Sequence, residues 1–216
     1  ALAPNQTMGV QMVITRKALK QSGAALEQAV RRDMNSAIQQ EMDRATFLGS
    51  GAAGEPLGLI PGIATYGITD TAISAAPTWA AFRAAVVRFI NSNAANGPGA
   101  VRLLLRPEVW DTMDGDIFDA GSGITEWDRL TDAMQSVTMT NNALADPAGA
   151  PLATNALMTT SAGGVAPFFV GTWGAIDLIR DPYTKAASGQ LTLTALTTMD
   201  ITVARGAQIE LLTDVQ

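Results

Sequence analysis

The sequence predicts an α+β fold, and three stretches predict it. Residues 22–48 carry one continuous apolar stripe at helical spacing. Residues 79–113 order a helix, a short apolar strand and a second helix, the pattern of an α/β layer. Residues 190–212 alternate apolar side chains with threonines, the period of strands that bury one face.

Along the chain, Met8, Val10, Met12 and Ile14 alternate and predict a first strand over 8–15. Arg16, Lys17 and Lys20 follow it. Ser22 is the expected N-cap of the long helix. Leu26, Val30, Met34, Ile38, Met42, Ala45 and Leu48 then recur every three or four residues, with Arg31, Arg32, Asp33, Gln39, Gln40, Asp43 and Arg44 on the other faces. At about 1.5 Å per residue this helix measures roughly 39 Å.

Residues 58–78 read as turns and one strand. Thr78 is the expected N-cap of a second helix, with Trp79, Phe82, Val86, Phe89 and Ile90 as its apolar face and Asn96-Gly97-Pro98-Gly99 as its stop. Val101–Leu105 is a buried strand, and Pro107 opens a third helix from its first turn. Residues 114–126 read as a loop, and 127–151 as irregular with a strand around Val137 to Thr140. Two strands are expected at 168–173 and 175–180, before a turn at Asp181-Pro182-Tyr183.

Composition excludes several chemistries. The 216 residues include no cysteine and no histidine. Disulfides, thiolate nucleophiles and histidine-dependent triads are therefore absent, and zinc would need carboxylates alone. A hydrophobic content of 47% argues against disorder, and a net charge of −6 argues against broad nucleic-acid binding. No stretch reaches the ~18 apolar residues of a membrane span. The start Ala1-Leu2-Ala3-Pro4 carries no signal peptide and no initiating Met, which reads as a processed or truncated product.

Three features of the sequence bear on chemistry. Gly49-Ser50-Gly51-Ala52-Ala53-Gly54 spells GxGxxG, but a dinucleotide site needs a strand before the glycines and a helix after them. Here the helix comes first, and its carbonyl-bearing end repels phosphate. Asp114, Asp116 and Asp119 suggest a calcium loop, yet Phe118, Asp119 and Thr125 occupy its fifth, sixth and twelfth positions, so the pattern fails. A carboxylate hydrolase finds no distinguished pair among the 20 acids, and Lys17, Lys20 and Lys185 all sit in polar stretches. No catalytic, cofactor-binding or metal-binding residue is expected, and no cofactor.

Charge is unevenly placed. Arg16, Lys17, Lys20, Arg31 and Arg32 gather five of the 14 basic residues into the first 32 positions. Asp111, Asp114, Asp116, Asp119, Glu126, Asp128 and Asp132 set seven acids against Arg129 alone between 111 and 132. One reading is two solvated faces; the other is complementary subunit surfaces that fix register and partner choice.

The long helix followed by Gly49-Ser50-Gly51-Ala52-Ala53-Gly54-Glu55-Pro56-Leu57-Gly58-Leu59-Ile60 resembles the major capsid proteins of tailed bacteriophages, the Hong Kong 97-type fold. So do Arg106-Pro107-Glu108-Val109-Trp110, Thr154-Asn155-Ala156-Leu157, Val170-Gly171-Thr172-Trp173 and Asp181-Pro182-Tyr183, in that order over nearly the whole chain. The resemblance implies a β-rich peripheral domain at 1–66 and 188–216, built on the spine helix, with a remnant of the extended loop at 1–15. It implies an α/β axial domain at 67–187.

It further implies a structural shell protein, not an enzyme, that assembles into hexamers and pentamers around DNA. Implied partners are further copies, a scaffold, a portal and a maturation protease, with no specific nucleic-acid site and no membrane. The implied location is the virion capsid, assembled in the bacterial host cytoplasm. An encapsulin-like nanocompartment is the main alternative, and a carboxylate-dependent hydrolase the alternative of another class. The family's N-terminal arm and outgoing loop strand do not precede residue 1, so this stretch alone is not expected to close complete shells. Some relatives cross-link lysine to asparagine with a glutamate's help. Residues 190–203 hold neither Asn nor Glu, so no cross-link is expected.

Overall fold

Thr15 ends the first strand and starts the longest helix of the chain. Its backbone is extended, and its hydroxyl accepts a hydrogen bond from the Ala18 N–H at 3.3 Å. The computed structural model describes residues 2–4, 6–119 and 121–216. In chain order its elements are β1 (Thr7–Thr15), α1 (Arg16–Leu48), α2 (Ile63–Tyr66), β2 (Thr69–Ala75), α3 (Trp79–Asn91), β3 (Val101–Leu105), α4 (Pro107–Gly115), β4 (Ile117–Asp119), β5 (Ile124–Thr125), α5 (Glu126–Ala133), β6 (Ser136–Met139), β7 (Thr154–Thr160), β8 (Phe168–Asp181), β9 (Gln190–Val203) and β10 (Ile209–Val215).

Two compact units divide the chain: Ala1–Gly58 with Val170–Ile201, and Leu59–Phe169 with Thr202–Gln216. These cuts differ from the boundaries expected after residues 66 and 187. Strand pairing accounts for the difference: β8 is hydrogen-bonded to β9, while β10 lies between β2 and β7.

In the first unit the sheet order is β1-β9-β8. β1 runs antiparallel to β9, from Thr7 opposite Thr198 to Thr15 opposite Gln190. Val30, Met34 and Ile38 on α1 pack against Ile14, Leu191, Leu193 and Ala195 of the sheet. Burying each of these larger side chains stabilises the unit by about 1.5–3 kcal/mol. The helix spans 33 residues, about 50 Å. It begins at Arg16 rather than after Ser22, because Thr15 caps it and Arg16 to Gln21 are mostly strong helix formers. The two strands expected around 168–180 are one, β8, in which Gly174 takes φ 82°.

In the second unit the sheet order is β2-β10-β7-β3-β6. β10 is parallel to β2 and antiparallel to β7; β3 is antiparallel to β7 and parallel to β6. Phe82, Ala85, Val86 and Phe89 of α3, Val109 and Met113 of α4, and Leu130 of α5 are all buried in one core with Leu103, Leu105 and Met158. The Thr78 cap is found, its hydroxyl accepting from the Ala81 N–H. The helix stops at Asn91 rather than near Asn96, because Asn93 turns left-handed at φ 56° and the Ala94 N–H returns to the Phe89 carbonyl at 2.8 Å. Residues expected as loop form the β4–β5 hairpin, and residues expected as irregular begin with α5. Its signal is a capping box: the Asp128 N–H donates to the Thr125 hydroxyl, and the Thr125 N–H donates to the Asp128 carboxylate.

Candidate functional site

The glycine-rich segment after α1 folds on itself. The N–H groups of Gly49, Gly51 and Gly58 donate to the carbonyls of Ala45, Pro56 and Gly49, at 3.0, 3.2 and 2.8 Å. Glu55 fills the centre of the turn, accepting from the Ser50 N–H and hydroxyl, both at 3.0 Å, and from Arg44 at 2.5 Å. The Ser50 bonds, followed by Arg44, hold the Glu55 carboxyl below its ordinary range. A carboxylate already takes the Ser50 N–H, and the Gly49, Gly51 and Gly58 amides are bonded to carbonyls. The segment is a helix stop, as its order in the sequence indicates.

The acidic run is brought to one part of the second unit. Asp111 and Asp114 lie on α4, Asp116 and Asp119 in and beside β4, and Asp128 and Asp132 on α5; all six are exposed. Glu126 is the exception. It is 8% exposed, accepts from the Trp79 N–H at 2.6 Å at the start of α3, and pairs with Arg129 at 3.0 Å. Arg129 also lies 3.6 Å over the Phe118 ring. On the hairpin, Ile117, Phe118 and Ile124 remain 60%, 57% and 43% exposed. Among the described residues no three His, Cys, Asp or Glu side chains converge as a metal site.

The basic run lies at the start of α1. Arg16, Lys17, Lys20 and Arg32 are exposed and form no ion pair among the described residues; Arg31 is bonded to Glu27 at 2.7 Å. The strand leading into them exposes Met12 and Val13, and β8 exposes Phe169, Val170, Trp173 and Ile179. Both β1 and β8 are also sheet edges.

Arg106, at the start of α4, is 5% exposed and is bonded to Glu108, which lines a cavity of the second unit. Its guanidinium binds the carboxylates of Glu108 and Asp146 and the carbonyls of Asn141 and Leu144, all between 3.0 and 3.2 Å. The cavity, about 320 Å³, is lined by Glu108, Asp111, Thr112, Leu152, Thr154 and Gln216. The Arg106 bond holds Glu108 below its usual carboxylate range. Glu108 is thus ionised near neutrality and is not poised as a general acid. No described helix is long and apolar enough to cross a membrane.

The model of the phage capsid family matches residues 2–214. No curated protein sequence matches the chain. Among solved structures, the capsid of Myoviridae phage XM1 superposes with a TM-score of 0.71 at 12% identity, over 97% of this chain and 73% of that one. The capsid of an empty GTA particle gives 0.70 at 17% identity, over 99% and 73%. A virus-like particle from Pyrococcus furiosus gives 0.65 at 12% identity, over 97% and 77%. The fold is the Hong Kong 97-type fold that the sequence resembles.

Proposed function

Because the chain belongs to the phage capsid family, we propose that this structural capsid protein tiles a closed icosahedral shell around DNA as hexamers and pentamers. The observation that carries this reading is a family match and a capsid fold that both run the length of the chain. The exposed features agree with it. Unpaired sheet edges, an apolar hairpin and segregated charge are surfaces for copies of the same chain, not for a small substrate.

On this reading the first unit is the peripheral domain, with α1 as its spine. The second unit is the axial domain, whose sheet includes the C-terminal strand β10. Scaffold, portal and maturation protease are the partners that a phage shell engages, and assembly takes place in the host cytoplasm. Catalysis has no part in the role. The nanocompartment reading draws on the likeness to the virus-like particle, which is no stronger than the likeness to the phage capsid.

Electron microscopy and light scattering on the purified protein test the proposal. Closed shells or ring-shaped capsomers are the expected result, and nucleic acid inside them separates a virus from an enzyme-filled compartment. A chain that stays monomeric at high concentration, with its scaffold supplied, would remove the shell reading.

A further inference from the structure

We propose that the β4–β5 hairpin of one copy docks against the β1–α1 junction of a neighbouring copy, an acid-rimmed apolar tip meeting a base-rimmed one. The contact rests on the shell-forming role and names one of its interfaces.

The hairpin has the make-up of an interface patch. Ile117, Phe118 and Ile124 form its exposed apolar centre. Asp111, Asp114, Asp116, Asp119, Asp128 and Asp132 form an exposed rim around that segment. None of these six takes part in an ion pair among the described residues. The one base in the segment, Arg129, is already used by Glu126 and by the Phe118 ring. That stacking holds the ring in place before any partner arrives, which lowers the ordering cost of binding.

The β1–α1 junction is its electrostatic opposite. Met12 and Val13 are exposed, and Arg16, Lys17 and Lys20 follow within the first turns of α1. A helix N-terminus carries partial positive charge, so cations there are unfavourable. The first turn of α1 contains no acid to offset them. Three bare cations at the positive pole of a 33-residue helix lower the stability of an isolated copy. An acidic surface supplied from outside the helix would reverse that cost. The hairpin rim is the matching surface on this chain, and every copy carries both halves. Such a head-to-tail contact repeats from copy to copy and closes into a ring where the rotation between copies permits.

Charge reversal in the purified protein tests this, read by sedimentation velocity. One variant carries Asp114→Lys, Asp116→Lys and Asp119→Lys; the other carries Arg16→Glu, Lys17→Glu and Lys20→Glu. All six positions are exposed, and circular dichroism checks that both variants fold. Each variant alone should associate at least about tenfold more weakly than the parent. An equimolar mixture should recover association, because each reversed patch then meets its opposite on the other variant.

Either variant assembling like the parent overturns the contact, as does a mixture that fails to recover. If the acidic reversal assembles normally while the basic reversal yields shells that hold less DNA, the α1 cations serve nucleic acid and the contact is also overturned. A parent chain that never associates removes the shell reading together with this interface. A parent that assembles alongside two unaffected variants removes the interface alone.

Discussion

The guanidinium of Arg106 donates to the carbonyl of Leu144 at 3.0 Å, across 38 residues of chain. With the Asn141 carbonyl and the Glu108 and Asp146 carboxylates, it ties the loop after β6 to the first turn of α4. The Arg-Pro start of this helix therefore has a structural reason. Pro107 is preset for the first helical position, and the arginine before it satisfies the buried Leu144 carbonyl, which would otherwise be unpaired.

Arg106→Ala should destabilise the second unit by about 2–4 kcal/mol, since it strips a donor from two carbonyls and a counter-charge from Glu108. Arg106→Lys should recover only part of this, because one ammonium cannot reproduce a planar fork. Urea denaturation followed by tryptophan fluorescence measures it well. Three of the four tryptophans, Trp79, Trp110 and Trp127, lie in this unit. An alanine variant as stable as the parent would remove Arg106 from this role.

Glu126 joins two helix starts. It opens α5 and caps α3 through the Trp79 N–H. Glu126→Ala should cost about 1–3 kcal/mol, from the lost cap and the unpaired Arg129. Glu126→Gln keeps an acceptor and should cost less. The Phe118 ring should also loosen in the alanine variant, because Arg129 loses the partner that holds it in place. Faster rotation or altered shifts of that ring by NMR would report it; an unchanged ring would separate the hairpin from Glu126.

Gly58→Ala tests the turn after α1. A Cβ at this glycine would lie 2.5 Å from the Gly49 nitrogen and 2.7 Å from the Phe47 carbonyl, both of them backbone atoms that cannot swing away. The expected loss is about 2–3 kcal/mol, as for overpacking a dense site. Loss of α1 signal in circular dichroism at lower urea than in the parent is the readout. An unshifted midpoint would mean that the turn opens without strain.

The sequence showed best what depends on periodicity. The stripe from Val30 to Ile38, the Thr78 cap, the Val101–Leu105 strand and the threonine alternation of β9 all stand where spacing and cap chemistry place them. What it hid depends on pairing between distant segments. Nothing local to Phe168–Asp181 or Ile209–Val215 says which sheet each strand joins, and that choice sets where the two units divide. The α5 helix was legible in principle from Thr125 and Asp128, but its short length and low apolar content masked the box. The charge asymmetry was visible in full. That Glu126 is buried and paired with Arg129, while the acids around it are exposed and form no ion pair among the described residues, needed the fold.

Acid should loosen the turn after α1 through Glu55. Hydrogen bonds from the Ser50 N–H and hydroxyl, then the Arg44 contact, lower its pKa in the folded state. A lowered folded pKa gives stability that is fully present above the unfolded value and is lost as pH falls through the folded one. The parent should therefore exceed Glu55→Gln in stability at neutral pH. That margin should shrink as the pH drops through and below the ordinary carboxylate range, from about pH 5 towards about pH 3. Paired urea titrations of the two proteins, followed by the helical signal, give the margin at each pH. A margin that stays constant down to the lowest pH would mean that Ser50 and Arg44 do not favour the ionised carboxylate. The turn would then be held by its backbone bonds alone.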